Sequence, residues 1–104
     1  MSLRVLLRIE IKPGQEAEFE KLWRSHAEAI ARLPENLGQR LLRSTAEPRS
    51  YAVETDWVDE PAFRTFEQTE AQQEYLKRLW PLRAGGSMTL FETVHVIAEE
   101  VAVP

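Results

Sequence analysis

The stretch from Tyr51 to Phe66, Y-A-V-E-T-D-W-V-D-E-P-A-F-R-T-F, decides the fold because strand periodicity gives way to helix periodicity within it. Its first half alternates, so that positions 51, 53, 55 and 57 share one face of a strand and the intervening positions share the other. Asp59 has a side chain suited to capping a helix, and Pro61 fits the first turn of that helix. The stretch therefore predicts a strand that ends at Trp57 and turns directly into a helix.

An alternating strand and an amphipathic helix precede this stretch. Residues 3–11 alternate apolar with mostly polar side chains, and Pro13-Gly14 interrupts the alternation. Apolar side chains then recur at steps of three and four up to Leu33, which predicts a helix of about 20 residues with Gly14 at its N-cap. A second strand is predicted from Gln39 to Thr45. Because only a short turn separates it from the strand at Tyr51, the two strands should form an antiparallel hairpin.

Two short helices and a last strand follow. Thr69 and Glu70 have the composition of a new helix start, so the segment after Trp57 is predicted to hold two consecutive helices. The residues from Pro81 to Gly86 are interpreted as a loop in which Gly85-Gly86 is a hinge. The last strand is predicted from about Met88 to Ala98, and residues 99–104 are interpreted as a tail that is mobile or bound to a partner.

This order of elements predicts the α+β, ferredoxin-like βαββαβ fold, a four-stranded antiparallel sheet with helices on one face. The other face of the sheet stays open and carries apolar side chains interleaved with charges of both signs, which suits a second subunit. We therefore predict a homodimer, with an interstrand ion-pair network at the interface in preference to a binding site for an acidic substrate. The predicted interface includes Arg4, Arg8, Glu54 and Asp56.

Composition sets limits on the class of protein. The 104 residues are 43% hydrophobic and fit one domain, and a net charge of −4 without a basic stripe makes nucleic acid an unexpected partner. Cysteine is absent and no apolar run approaches the roughly 20 residues that span a bilayer, so we expect a cytoplasmic protein with no membrane partner. The histidines, His26 and His95, lack a metal-ligand spacing such as H-x-x-x-H, so no metal site is predicted.

Several segments of the chain resemble one known family. The first strand ends in I-K-P-G at 11–14, the long helix opens with Q-E-A-E-F at 15–19, and W-V-D-E-P-A-F at 57–63 precedes T-E-A at 69–71. This pattern resembles the antibiotic biosynthesis monooxygenase superfamily, the dimeric α/β-barrel proteins, over about residues 3–98. The resemblance implies a dimer whose two sheets face each other as a barrel. It also implies a pocket between the sheet and the helices of each subunit.

Members of the superfamily catalyse several reactions, and the residues of this chain disfavour one of them, haem degradation. Haem-degrading members carry an Asn on the first strand and a haem-ligating His on the later helix, but these positions fall on Leu7 and on Tyr75-Leu76 here. Of the haem-degrading pattern, Trp57 alone matches. The resemblance therefore implies a cofactor-independent monooxygenase-like protein that acts on an aromatic or polyketide-type molecule. The alternatives are a polyketide cyclase or isomerase of the same fold, and a non-catalytic dimeric ligand-binding or stress-associated module.

The candidate site residues lie on the apolar faces. His26 sits within the apolar stripe of the first helix, where burial lowers the pKa of an imidazole and leaves a neutral base. It is the candidate catalytic residue, and a structural histidine with one hydrogen bond is the alternative. Aromatic side chains on the inward faces either line a pocket or fill the core, and Glu92 falls on the apolar phase of the last strand. The predicted pocket residues are Trp23, Tyr51, Trp57, Phe66, Trp80 and Glu92.

Overall fold

The computed structural model describes residues 2–97 and confirms the α+β, ferredoxin-like order of elements. The later helical segment is divided in two, as the sequence predicts. The elements are β1 (Leu3–Ile11), α1 (Glu16–Ile30), β2 (Asn36–Arg43), β3 (Ser50–Trp57), α2 (Glu60–Glu67), α3 (Glu70–Leu79), a 3-10 turn (Trp80–Leu82) and β4 (Arg83–Glu92). No helix within residues 2–97 is long and apolar enough to cross a membrane. The tail predicted for residues 99–104 lies outside the described residues.

The four strands form one antiparallel sheet in the order β2-β3-β1-β4. β1 is central: Leu3 lies opposite Trp57 of β3 on one side and opposite Glu92 of β4 on the other. β2 pairs with β3 as the predicted hairpin. This register places the odd-numbered side chains of β1 towards the helices and the even-numbered ones on the open face.

Most of the core between sheet and helices forms two clusters, and the buried Ala27 and Val53 belong to neither. Both clusters draw on β1, since positions 3 and 5 belong to one cluster and positions 9 and 11 to the other. Full burial of one large apolar side chain contributes roughly 1.5–3 kcal/mol, so each cluster is a substantial source of stability. The first core cluster comprises Leu3, Val5, Ile30, Trp57, Phe63 and Phe66. The second core cluster comprises Ile9, Ile11, Phe19, Tyr51, Tyr75 and Leu79.

The helix-start predictions after Trp57 are confirmed. The side chain of Asp59 accepts a hydrogen bond from the backbone N–H of Ala62 at 2.8 Å. Thr69 does the same for α3, where its hydroxyl oxygen accepts from the backbone N–H of Gln72 at 3.2 Å. Each bond satisfies one of the backbone donors that the first turn of a helix leaves free, so the two caps fix where α2 and α3 begin.

The predicted last strand is wrong at both ends, because β4 begins at Arg83 and not at Met88, and it ends at Glu92 without continuing through residues 93–97. Gly85 and Gly86, interpreted as a hinge, pair with β1 and belong to the strand. A Cβ on Gly86 would lie 2.6 Å from the backbone oxygen of Arg8, so the two strands can approach this closely only with glycine there. The glycine pair therefore belongs to the strand and not to a loop, and Gly86 marks the close contact with β1.

The boundaries of α1 and β2 also differ from the prediction. α1 ends at Ile30 and not at Leu33, and the N–H of Leu33 donates to the carbonyl of Ile30 in a turn before Pro34. The N-cap position is Gln15, while Gly14 adopts a φ of 79° in the preceding turn.

β2 begins earlier than predicted because an irregularity between Asn36 and Gly38 lets Asn36 pair with Trp57. It ends before Ser44, whose hydroxyl accepts from two backbone N–H groups of the turn.

Candidate active site

His26 is half-buried on the side of α1 that faces α2 and α3. Its Nε2 lies 2.7 Å from Oε1 of Gln72 on α3. Its ring stacks on that of Tyr75, with ring centroids 3.8 Å apart and an interplanar angle of 7°. The ring of Phe66 on α2 lies 6.2 Å away. The imidazole is thus held by one amide and flanked by two aromatic rings.

The surroundings of His26 favour its neutral form. Burial lowers the pKa of His26 below its ordinary value of 6.5, although the hydrogen bond with Gln72 acts in the opposite direction. The neighbouring Tyr75 stays protonated as well, because burial raises the pKa of its phenol. A neutral imidazole in these surroundings is chemically able to accept a proton from a bound molecule.

The two core clusters meet at His26. Phe66 belongs to the first core cluster and Tyr75 to the second, and the imidazole contacts both rings. On the sheet, Leu7 lies between the β1 positions of the two clusters and is only half-buried. Its β4 neighbour Met88 is 46% exposed, although the register turns it to the helix side. The helix-facing side of the sheet is therefore incompletely covered at Leu7 and Met88, while Val53, which lies opposite Leu7 on β3, is buried.

Three of the predicted pocket residues fill the core. Trp57 is 1% exposed, its ring centroid lies 4.7 Å from that of Phe66, and its indole N–H donates to the hydroxyl of Thr55 at 3.1 Å. Tyr51 is also buried, and its hydroxyl donates to Glu20 at 2.6 Å. Burial, together with that carboxylate, raises the pKa of Tyr51 to about 12. These buried side chains therefore connect the sheet to the helices.

The other three predicted pocket residues lie apart from one another. Trp23 packs against the second core cluster and borders a groove of about 400 Å³ between α1 and β2. Trp80 is 66% exposed in the 3-10 turn, where the guanidinium of Arg83 lies 4.8 Å from its ring centroid. Glu92 is exposed at the far end of β4. The structure does not bring the six predicted residues together around one cavity, and their role as pocket lining stays a prediction.

The predicted ion-pair network lies on the open face of the sheet. Arg4 binds Asp56 through two hydrogen bonds of 2.8 and 2.9 Å, and these raise the pKa of the Arg4 guanidinium. Glu54 lies 3.8 Å from Arg4 and 3.5 Å from Arg40, while Arg8 is exposed. A cavity of about 1060 Å³ is lined by residues of this face, among them Arg4 and Asp56, and by residues 93–97. Arg4, Glu54 and Asp56 therefore pair within the chain, and the subunit interface predicted there stays a prediction.

Within residues 2–97, no three side chains of His, Cys, Asp or Glu converge in a way that could hold a metal ion. His26 is held by Gln72 and not by a carboxylate, and His95 is exposed beyond the end of β4. The chemistry available at His26 is therefore that of a single neutral base among aromatic rings.

Sequence reasoning missed four of the residues that define the site, namely Leu7, Gln72, Tyr75 and the exposed Met88. One signal could have found Gln72, because it lies three residues before Tyr75 and so shares its helix face. The Thr69 cap fixes where α3 begins and therefore which of its residues share a helix face. No comparable signal exists for Met88, since the prediction already placed it on an apolar strand face and its exposure depends on how far the helices extend over β4.

The family model for antibiotic biosynthesis monooxygenase matches residues 2–78. The chain belongs to the antibiotic biosynthesis monooxygenase family. Among solved structures, SnoaB, a cofactor-independent oxygenase from Streptomyces nogalater, is 26% identical to this chain. The match covers 94% of this chain and 98% of SnoaB, with a TM-score of 0.85. The resemblance found in the sequence is thereby confirmed for both family and fold.

Two further proteins are similar to this chain. A structure from Caulobacter crescentus CB15 that is named for the same family is 24% identical and has a TM-score of 0.85, over 90% of this chain and 91% of that one. It supports the fold alone. Protein SchA of Streptomyces halstedii is 24% identical over 100 residues, which are 96% of this chain and 26% of SchA. The chain therefore spans about a quarter of the length of SchA.

Proposed function

We propose that this member of the family is a cofactor-independent monooxygenase that acts on an aromatic, polyketide-type small molecule, with His26 as its general base. The observation that carries the proposal is the half-buried, neutral imidazole of His26 between the rings of Phe66 and Tyr75. The 26% identity to SnoaB, itself a cofactor-independent oxygenase, supports the same class of reaction.

The proposed reaction requires a proton acceptor and dioxygen. His26 takes a proton from an activated position of the substrate, such as the methylene group of an anthrone, and the electron pair remains on the substrate as an enolate. This carbanion reduces dioxygen directly. In the net reaction the methylene group becomes a carbonyl that holds one oxygen atom, and the second oxygen atom leaves as water. The imidazolium returns its proton during the second half of the reaction.

The proposed substrate position is the incompletely covered part of the sheet between the two core clusters. A flat apolar molecule there would cover Leu7 and Met88, which are the half-buried and exposed members of the inward face. Phe66 and Tyr75 would present aromatic edges to it on either side of His26. Trp57 packs directly on Phe66, so its proposed role is to support that wall of the pocket.

An oxygen electrode tests the reaction with an anthrone as substrate, and His26→Gln tests the base. We expect dioxygen uptake and quinone formation with the native protein. His26→Gln should lose about 10² to 10⁴ in kcat, the usual contribution of a general base. The matched control is His95→Gln, which removes the exposed histidine and should retain the native rate.

Each contrary result selects an alternative. Turnover of a polyketide substrate without dioxygen uptake would indicate a cyclase or isomerase of the same fold. Saturable binding without turnover across a varied panel of aromatic substrates would indicate a ligand-binding module. Full activity in His26→Gln would remove His26 as the base while leaving the oxygenase reaction in place.

The open face of the sheet supports a second proposal, that the protein is a homodimer. Leu42 and Phe91 lie on this face and are 44% and 49% exposed, and the neighbouring Arg4 and Asp56 are already paired with each other. Such an apolar surface with satisfied charges is suited to burial against a second copy.

Sedimentation tests the dimer. We expect twice the chain mass of 12.0 kDa for the native protein, and the single-chain mass for Phe91→Glu. Leu76→Glu is the matched control, because Leu76 is 38% exposed on α3, on the other side of the sheet. A native particle of 12.0 kDa at micromolar concentration would contradict the proposal.

A further inference from the structure

We propose that Gln72 is a positioning residue that holds His26 as the tautomer protonated on Nε2, so that Nδ1 is the nitrogen that accepts the proton. The inference rests on the proposed function, in which His26 is the base. It assigns a role to a residue whose side chain would not contact the reacting atoms. Its basis is the hydrogen bond of 2.7 Å between Nε2 of His26 and Oε1 of Gln72.

The atom of Gln72 that faces the imidazole decides the tautomer, because that atom is the amide oxygen Oε1. An amide oxygen can only accept, so Nε2 must carry the proton that it donates. A neutral imidazole has one N–H, and the other nitrogen then holds the lone pair. The base in the proposed reaction is therefore Nδ1.

The Tyr75 stack cannot make this choice by itself. A half-turn of the imidazole about its Cβ–Cγ bond leaves the ring in the same plane, so the parallel stack at 3.8 Å would be kept. The same half-turn would place a ring carbon against the oxygen of Gln72 and lose the hydrogen bond. Tyr75 thus fixes the plane of the imidazole ring, and Gln72 fixes which of its two edges faces α3, namely the edge that carries Nε2.

Both constraints come from one helix with a fixed start. The Thr69 cap sets the first turn of α3 by accepting from the backbone N–H of Gln72. Gln72 and Tyr75 are three residues apart and therefore lie on the same face of α3. The amide of Gln72 and the ring of Tyr75 consequently contact His26 from the same face of one helix.

A neutral amide at this position also preserves the basicity that the reaction needs. The groups facing the imidazole are Gln72 and Tyr75 from α3 and Phe66 from α2, and on α1 the residues one turn away are Leu22, Trp23, Ala29 and Ile30. Tyr75 is the titratable group among them. A carboxylate in place of Gln72 would stabilise the imidazolium, hold the ring protonated to higher pH and remove the base near neutrality.

The test combines nitrogen NMR of the His26 ring with rate profiles. In the native protein labelled with ¹⁵N-histidine, we expect the signal of a protonated nitrogen at Nε2 and of an unprotonated nitrogen at Nδ1. Gln72→Leu should mix the two tautomers. Gln72→Glu should raise the pKa of the ring and move the acid limb of the kcat profile to higher pH by about one pH unit or more. Gln73→Leu is the matched control, because its exposed neighbouring amide bonds to the carbonyl of Glu67.

The outcomes separate this inference from the proposed function. An Nδ1-protonated ring in the native protein, or a Gln72→Leu protein whose His26 signals match those of Gln73→Leu, would overturn the role of Gln72. The NMR measurement on the native protein decides the tautomer even where a variant folds poorly. If the Nε2-protonated tautomer is found and His26→Gln still consumes dioxygen at the native rate, the base assignment fails while the tautomer assignment stands.

Discussion

The imidazole of His26 lies parallel to the phenol ring of Tyr75, with an interplanar angle of 7° and ring centroids 3.8 Å apart. This contact joins α1 to α3 at the boundary between the two core clusters. It also buries one face of the only histidine that α1 carries. The stack therefore contributes both to stability and to the neutral state of the candidate base.

Removing the ring of Tyr75 should destabilise the protein strongly. Tyr75 is 9% exposed and belongs to the second core cluster, so Tyr75→Ala leaves a cavity and should cost about 3–5 kcal/mol of the unfolding free energy, by analogy with Phe→Ala. Tyr75→Phe keeps the stack and should cost much less. Urea unfolding of both variants measures the difference, and equal losses would show that the hydroxyl, not the ring, is what the core needs.

The stability of the native protein should depend on pH through His26. Since burial lowers the pKa of His26 in the folded chain, the unfolded chain binds a proton first as the pH falls. This contribution to the unfolding free energy is present above about pH 6.5. It is lost progressively as the pH falls from there to the lowered pKa of the folded state, with a slope of at most about 1.4 kcal/mol per pH unit.

A comparison of two histidine variants isolates this contribution from that of the carboxylates. Urea unfolding of His26→Gln should show a shallower loss of stability between about pH 7.5 and 5.5 than the native protein. His95→Gln should follow the native curve, since that side chain is exposed. Parallel curves for all three proteins would mean that His26 titrates alike in the folded and unfolded chains.

The fold could be predicted from the sequence where local chemistry decides the backbone. Three local signals determine the structure within a few residues of themselves: the alternation up to Trp57 and the capping side chains of Asp59 and Thr69. The end of β3 and the starts of α2 and α3 that they predict are confirmed. The start of β4 was not predictable in this way. Gly85-Gly86 has the composition of a turn, and its strand conformation follows from pairing with β1, which is more than 70 residues away.

The candidate site was only partly predictable for a similar reason. Helical periodicity placed His26 on the inner face of α1, and the structure confirms that location. Its hydrogen-bond partner lies 46 residues away on α3, and no local pattern pairs the two side chains. Aromatic residues such as Trp57 and Trp80 have equal apolar character in the sequence, and tertiary packing alone leaves one at 1% and the other at 66% exposure.

Substitution of the two adjacent glycines of β4 should have opposite outcomes. A Cβ at Gly86 would lie 2.6 Å from the backbone oxygen of Arg8, so Gly86→Ala forces the strands apart and should cost about 1–3 kcal/mol. Gly85→Ala is the matched control, because no atom lies within 4 Å of its added Cβ. It should be neutral or slightly stabilising, by up to about 1 kcal/mol, since it restricts the unfolded chain. Thermal or urea unfolding compares the two, and equal effects would contradict the close contact with β1.

The hydrogen bond from the indole of Trp57 to the hydroxyl of Thr55 should contribute a measurable coupling at the end of β3. Thr55→Val removes the acceptor and leaves a buried N–H without its partner, which should cost about 1–3 kcal/mol. Trp57→Phe removes the donor and part of the packing on Phe66. In the Trp57→Phe background the Thr55→Val substitution should cost less, by roughly 0.5–1.5 kcal/mol, because the donor is already gone. Strict additivity in urea unfolding of the four proteins would show that the 3.1 Å contact carries no net stability, leaving burial among the aromatic rings as the reason that Trp57 anchors the strand.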